Sequence, residues 1–119
     1  MAGEAKAIDL CASGLRKSCI VDGDTFWWKG EKIRIADIDA PEKDAPCAFE
    51  RRLAQHATEG LIRLLQQPFK ITRTGKDRFG RTLALVWVNG RDVGATLVDA
   101  GLARQWIGRK EHWCSGRTQ

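Results

Sequence analysis

The chain has 119 residues, 43% hydrophobic and 29% charged, which excludes a disordered segment and leaves room for one packed core, so a single domain over 1–119 is expected. Its net charge of +5 is unevenly shared: residues 1–50 carry seven Lys/Arg against ten Asp/Glu, residues 51–119 thirteen against five. An acidic half beside a basic half suits a cation site facing a surface that attracts phosphates, and no stretch is apolar and long enough to span a membrane.

Residues 1–16 have weak periodicity and read as a loose leading segment tied down by Cys11. The first six residues lack the apolar core of a signal peptide, yet four cysteines in so short a chain point to an oxidising compartment. Both hold if a signal has been removed and Met1 is an added initiator; a secreted or periplasmic location is expected. A first strand is predicted over 18–22, a second over 25–28, and a third through Ile33, Ile35 and Ile38. Lys29-Gly30-Glu31 turns the second into the third as a hairpin. Trp27 and Trp28, adjacent on one strand, face opposite ways, one to the core and one partly to solvent.

Asp44 is the expected N-cap of an amphipathic helix, with Pro46 in its first turn. Its apolar face is read from Phe49, Leu53, Ala57, Leu61 and Leu65, with Glu50 among the solvated positions and a stop at Gln67-Pro68. His56 is a surface residue with no role. A fourth strand over 69–74 and a fifth over 82–88 flank the exposed basic loop from Gly75 to Arg81, and Asn89-Gly90 is a hairpin-type turn. Asp92 caps a short helix that stops at Ala100-Gly101, before a basic tail with Trp106, Trp113 and Cys114. Five strands with a helix inserted between the third and fourth and a short helix after the fifth predict a β-rich α+β fold, a five-stranded OB-fold barrel.

The stretch from Ile20 to Glu42 concentrates chemistry: Asp22 and Asp24, then Asp37, Asp39 and Glu42, with Arg34 between. The hairpin brings Asp24 near Asp39, and clustered carboxylates repel each other unless a cation sits between them or one stays protonated. Oxygen ligands alone select a hard cation, Ca²⁺ or Mg²⁺, over zinc, and His112 and Cys114 lack the paired spacing of a zinc site.

With those residues assembled, the chain resembles the thermonuclease family. The matching pieces are Val21-Asp22-Gly23-Asp24-Thr25, Arg34 five residues before Asp39, Asp39-Ala40-Pro41-Glu42, Asp77 to Arg81 followed by Leu83-Ala84, then Leu97-Val98 and Gly101-Leu102-Ala103, all in the family's order. The resemblance implies that Asp24, Asp39 and the carbonyl of Ala40 are direct Ca²⁺ ligands, with Asp22 behind them and Glu42 at a metal-bound water. Arg34 and Arg81 match the arginines that grip the phosphate under attack. Phosphodiester hydrolysis needs these types: negative charge builds on the equatorial oxygens, where a Lewis acid and two permanently charged guanidinium forks act, and a carboxylate orients or deprotonates the water. The chain departs from the family at Ala40, where a threonine is usual, and at Arg78-Phe79, where the family has lysine-tyrosine. It has no tyrosine at all. Lys76, Arg78, Phe79 and Trp106 are the candidate substrate contacts, Trp106 by stacking on a base.

The expected function is a monomeric, Ca²⁺-dependent phosphodiesterase that cuts single-stranded or locally opened DNA and RNA with low sequence specificity and leaves 3′-phosphates. The alternative is an inactive OB-fold module that binds nucleic acid or protein, although such modules have typically lost the acidic and arginine positions found here. Four cysteines allow three pairings. Position favours Cys11–Cys19, across a short segment containing Gly14, and Cys47–Cys114, which pins the tail to the head of the helix.

Overall fold

The computed structural model describes residues 8–12, 17–110 and 113–114. Strands β1 (Cys19–Asp22), β2 (Thr25–Trp28) and β3 (Glu31–Ile35) form an antiparallel meander. Lys29 and Gly30, both at positive φ, make the two-residue turn between β2 and β3 and fix the register at Trp28 opposite Glu31. A short strand β4 (Ile38–Asp39) and helix α1 (Ala48–Leu64) follow, then β5 (Phe69–Lys76) and β6 (Thr82–Val88) as a second antiparallel pair. Strand β7 (Arg91–Asp92), helix α2 (Val93–Asp99) and β8 (Arg104–Gln105) complete the order.

One parallel pairing joins the two halves. β3 lies beside β6 with Ile33 opposite Thr82, Arg34 opposite Leu83 and Ile35 opposite Ala84, giving the sheet order β1-β2-β3-β6-β5. The result is a small α+β fold with a mixed sheet. A closed five-stranded barrel is not found: among the described residues the sheet ends at β1 and β5. The expected third strand also divides. Ala36-Asp37 turns the chain out of the sheet, and β4 pairs instead with β8, Ile38 opposite Gln105 and Asp39 opposite Arg104. The long helix therefore follows the fourth strand, and the short one the seventh.

The core face of the sheet is Ile20, Phe26, Ile33, Ile35, Ala84 and Val86, closed over by Leu61 and Leu65 of the α1 region and by Val93 and Leu97 of α2. Burying each large side chain of this set contributes about 1.5–3 kcal/mol. Trp27 and Trp28 are both half-buried; Trp28 packs edge-on against Phe69, ring centroids 4.8 Å apart, and Lys32 lies over Trp27. Helix α1 starts later than its sequence indicates, with Cys47 and not Asp44 at the N-cap position. A helix capped by Asp44 would need Ala45 in helical conformation directly before Pro46, which the proline ring disfavours. Its buried stripe is Glu50, Ala54, Ala57, Gly60 and Leu61, while Phe49 is 56% exposed. The small residues admit close approach: a Cβ on Gly23 would meet the Ala57 Cβ at 2.8 Å.

Helix α2 is capped by Asp92, whose carboxylate accepts from the amides of Gly94 and Ala95. Two disulfides hold the ends, Cys11–Cys19 with Cα atoms 4.8 Å apart and Cys47–Cys114 with 5.9 Å. No helix among the described residues is long and apolar enough to cross a membrane. His112 lies outside the described residues.

Candidate active site

The parallel pairing of β3 with β6 builds the site. Arg34 stands opposite Leu83, and Arg81 precedes Leu83 by two residues, so the alternation of a strand brings both arginines to the same face. They line one cleft of about 820 Å³ together with Asp22, Asp24, Glu42, Arg78, Phe79, Trp106, Arg109 and Lys110. Lys76, at the end of β5, is exposed and is not part of its wall.

Each wall residue is fixed by a local device. Asp24 sits in the tight turn between β1 and β2; one carboxylate oxygen accepts from the Thr25 hydroxyl at 2.9 Å, the other from the Ala40 amide at 3.1 Å. That second bond crosses from the β1–β2 turn to the end of β4 and draws Asp24 towards Asp39 and Ala40. Asp39 is fully buried, and Ala40 nearly so. Arg34 is only 8% exposed. Its guanidinium donates to the Ile35 carbonyl at 2.9 Å, lies 3.7 Å from the Asp24 carboxylate and stacks 4.8 Å from the Trp106 ring centroid. Trp106 is held in turn by its amide, which donates to the Asp37 carbonyl at 3.0 Å.

Across the cleft, Asp77 organises the basic loop. One of its oxygens accepts from the amides of Phe79 and Arg81, both at 2.9 Å, and the other from Arg81 Nε at 2.6 Å. Burial works to raise the Asp77 pKa, but these hydrogen bonds outweigh it and hold the carboxyl below its ordinary range. Phe79, 70% exposed, extends from this loop as an apolar face between Arg78 and Arg81.

The carboxylate cluster is electrostatically crowded. Burial, with Asp24 and then Glu42 close by, pushes Asp22 up to about 7. Asp37, placed by its sequence beside Asp39, belongs elsewhere: it lines a second cleft with Asp92 and Asp99. Glu42 is half-exposed on the rim, and its backbone is anchored by Glu50, whose carboxylate accepts from the Glu42 amide at 2.8 Å.

The residue least anticipated from the sequence is Lys110. Its ammonium donates to Asp39 Oδ1, to the Ala40 carbonyl at 2.9 Å and to Glu42 at 2.7 Å. Burial works against its charge, but the bonds to Asp39 and Glu42 outweigh it and raise its pKa above the ordinary lysine range. One ammonium thus gathers the oxygens of Asp39, Ala40 and Glu42. Carboxylate and carbonyl donors without sulfur or imidazole fit a hard divalent ion. Glu50, Arg109 and Lys110 carried no signal as single residues, because only the folding-back of the tail brings Arg109 and Lys110 to the cleft.

Residues 32–115 match the staphylococcal nuclease homologue family, so the chain belongs to that family. It is 36% identical over 89 residues to an uncharacterized endonuclease of Haemophilus influenzae, an alignment covering 71% of this chain and 47% of that protein. It is 37% identical over 97 residues to Protein ParB of Escherichia coli, covering 71% and 52%. Identity to the thermonuclease of Staphylococcus intermedius is 31% over 97 residues, covering 71% and 55%. The chain spans about half the length of these curated relatives.

Proposed function

We propose that the protein is a metal-dependent nuclease, with Ca²⁺ held by Asp24, Asp39 and the carbonyl of Ala40, that hydrolyses phosphodiester bonds in single-stranded or locally opened DNA and RNA. The observation that carries the reading is one cleft lined by Asp24, Glu42, Arg34 and Arg81, with Lys110 in it gathering the adjoining oxygens of Asp39 and Ala40. When bound, the metal supplies Lewis-acid stabilisation of the charge that builds on the phosphate. Arg34 and Arg81 donate to the equatorial oxygens as those charges grow, a role that suits guanidiniums pre-oriented by Ile35, Trp106 and Asp77. Glu42, on the rim and reachable by solvent, orients the attacking water and takes its proton. Water oxygen bonds to phosphorus, the bond from phosphorus to the 5′-oxygen breaks, and a proton reaches that oxygen, leaving a 3′-phosphate and a 5′-hydroxyl. Phe79 and Trp106, partly exposed beside the arginines, offer faces for unstacked bases, so single strands are favoured over duplex.

Two disulfides support an extracellular or periplasmic setting. The test is a digest of denatured DNA by the purified protein with Ca²⁺ and with EGTA. Cleavage with Ca²⁺, lost in EGTA and in Glu42→Gln, is expected. A protein that binds the DNA but never cuts it would instead be a binding module.

A further inference from the structure

The three oxygens that Lys110 engages are the Asp39 carboxylate, the Ala40 carbonyl and the Glu42 carboxylate. Two of them are assigned above to the metal and the third to the attacking water. An ammonium has three N–H donors, and all three are used here. The lysine is delivered by a tether. The chain is pinned before it by β8, where Arg104 pairs with Asp39 itself, and after it by the Cys47–Cys114 disulfide. Between these anchors Gly108, at φ +95°, bends the segment back into the cleft. Both anchors are independent of the metal, so the ammonium meets the carboxylates at high effective concentration.

A divalent ion bonded to the Asp39 and Ala40 oxygens would sit about 2.3–2.6 Å from each. Lys110 Nζ donates to Asp39 Oδ1 and stands 2.9 Å from the Ala40 carbonyl oxygen. The two cations would therefore compete for the same pair of oxygens, close enough that charge repulsion disfavours holding both at once. Occupancy is competitive. The side chain is 41% exposed, so its head can leave for the solvent side of the cleft without unfolding the tail.

We propose that Lys110 is a built-in competitor for the metal: a tethered ammonium that neutralises the carboxylates in the metal-free protein and must swing out when Ca²⁺ enters. The inference rests on the metal reading above and deepens it. Two consequences follow. Metal affinity in the absence of substrate is lowered by the fraction of molecules whose site is open. The displaced ammonium then faces the mouth of a cleft lined by Arg34, Arg81 and Arg109, where a polyanionic substrate stabilises its outward position. Metal and nucleic acid accordingly favour each other's binding, as reciprocal linkage requires.

The test is calorimetric titration of CaCl₂ into EGTA-stripped, disulfide-intact protein, comparing wild type with Lys110→Gln and Lys110→Arg, and with no substrate present. Lys110→Gln removes the competing charge, and a Ca²⁺ dissociation constant lower by about tenfold is expected, the ratio for a latch closed in about nine molecules of ten. Lys110→Arg keeps a tethered cation, and its affinity should stay near that of wild type. Melting curves of the metal-free proteins read the same balance without titration: Lys110→Gln should melt lower in EGTA and gain more from added Ca²⁺ than wild type does. Equal or weaker Ca²⁺ binding by Lys110→Gln, with wild type still binding, overturns the competitor role alone. Absence of Ca²⁺ binding in all three proteins overturns it together with the metal assignment.

Discussion

Glu50 offers the sharpest test of how the site is held, because it touches no substrate position and acts through Glu42. It is 4% exposed on the buried stripe of α1. One oxygen accepts the Glu42 amide at 2.8 Å, and the other lies 3.4 Å from the Cys114 sulfur. Glu50→Ala removes a hydrogen bond to a charged acceptor, which is typically worth about 1.5–3 kcal/mol. The Glu42 amide is only partly buried, so water can replace some of that loss and the lower end, about 1.5 kcal/mol, is expected. For a chain of this length that lowers the melting temperature by about 5–9 °C. Activity should fall further than stability explains, since the segment carrying Glu42 loses its anchor and a misplacement of 1 Å can cost about 10²-fold in rate. The assay is kcat on denatured DNA at a temperature where every variant is folded, in a cycle with Glu42→Gln. If Glu50 acts by holding Glu42, Glu50→Ala costs little more once Glu42→Gln is present. Full additivity of the two losses, or an unchanged rate in Glu50→Ala alone, would refute the positioning argument.

Arg34→Lys and Arg81→Lys should each reduce kcat by about 10²–10³ while circular dichroism stays unchanged, because lysine keeps the charge but not the fork. Gly23→Ala brings a methyl to 2.8 Å from the Ala57 Cβ and 3.0 Å from the Ala40 Cβ; it should destabilise by about 1–3 kcal/mol in urea titration and disturb Asp22 and Asp24 on either side. Glu31, hydrogen-bonded by Arg73 and Thr82, has its pKa lowered from 4.5 to about 2. On acidification the unfolded chain therefore takes up this proton first, so the contribution is whole above pH 4.5 and is lost as pH falls towards 2. Glu31→Gln should flatten that part of the stability curve and cost about 1 kcal/mol or less at neutral pH, the site being solvent-accessible.

Local patterns in the sequence carried the strands β2 and β6, the Lys29-Gly30 turn, the Asp92 cap and the set of carboxylates and arginines, because each depends on neighbours within a few residues. The helix face shows where local reading fails. A stripe taken every four residues drifts about 40° per step on a helix of 3.6 residues per turn, so Phe49 lies about 120° from Leu61 and ends in solvent. Glu50, at seven and four residues before Ala57 and Ala54, fits the true stripe, but its charge made it look like a surface residue. The departure of β4 from the sheet was illegible for another reason: its partner β8 lies over sixty residues away, and no property of Ile38 or Asp39 encodes that pairing. The same distance governs the site. Residue types told that a cation and a phosphate could meet here, because carboxylates, a carbonyl and guanidiniums have fixed chemistry wherever they fall. Which of them converge was decided by the parallel β3–β6 pairing and by a tail strapped between β8 and Cys114, long-range contacts whose free energy belongs to the packed chain and not to any segment of it.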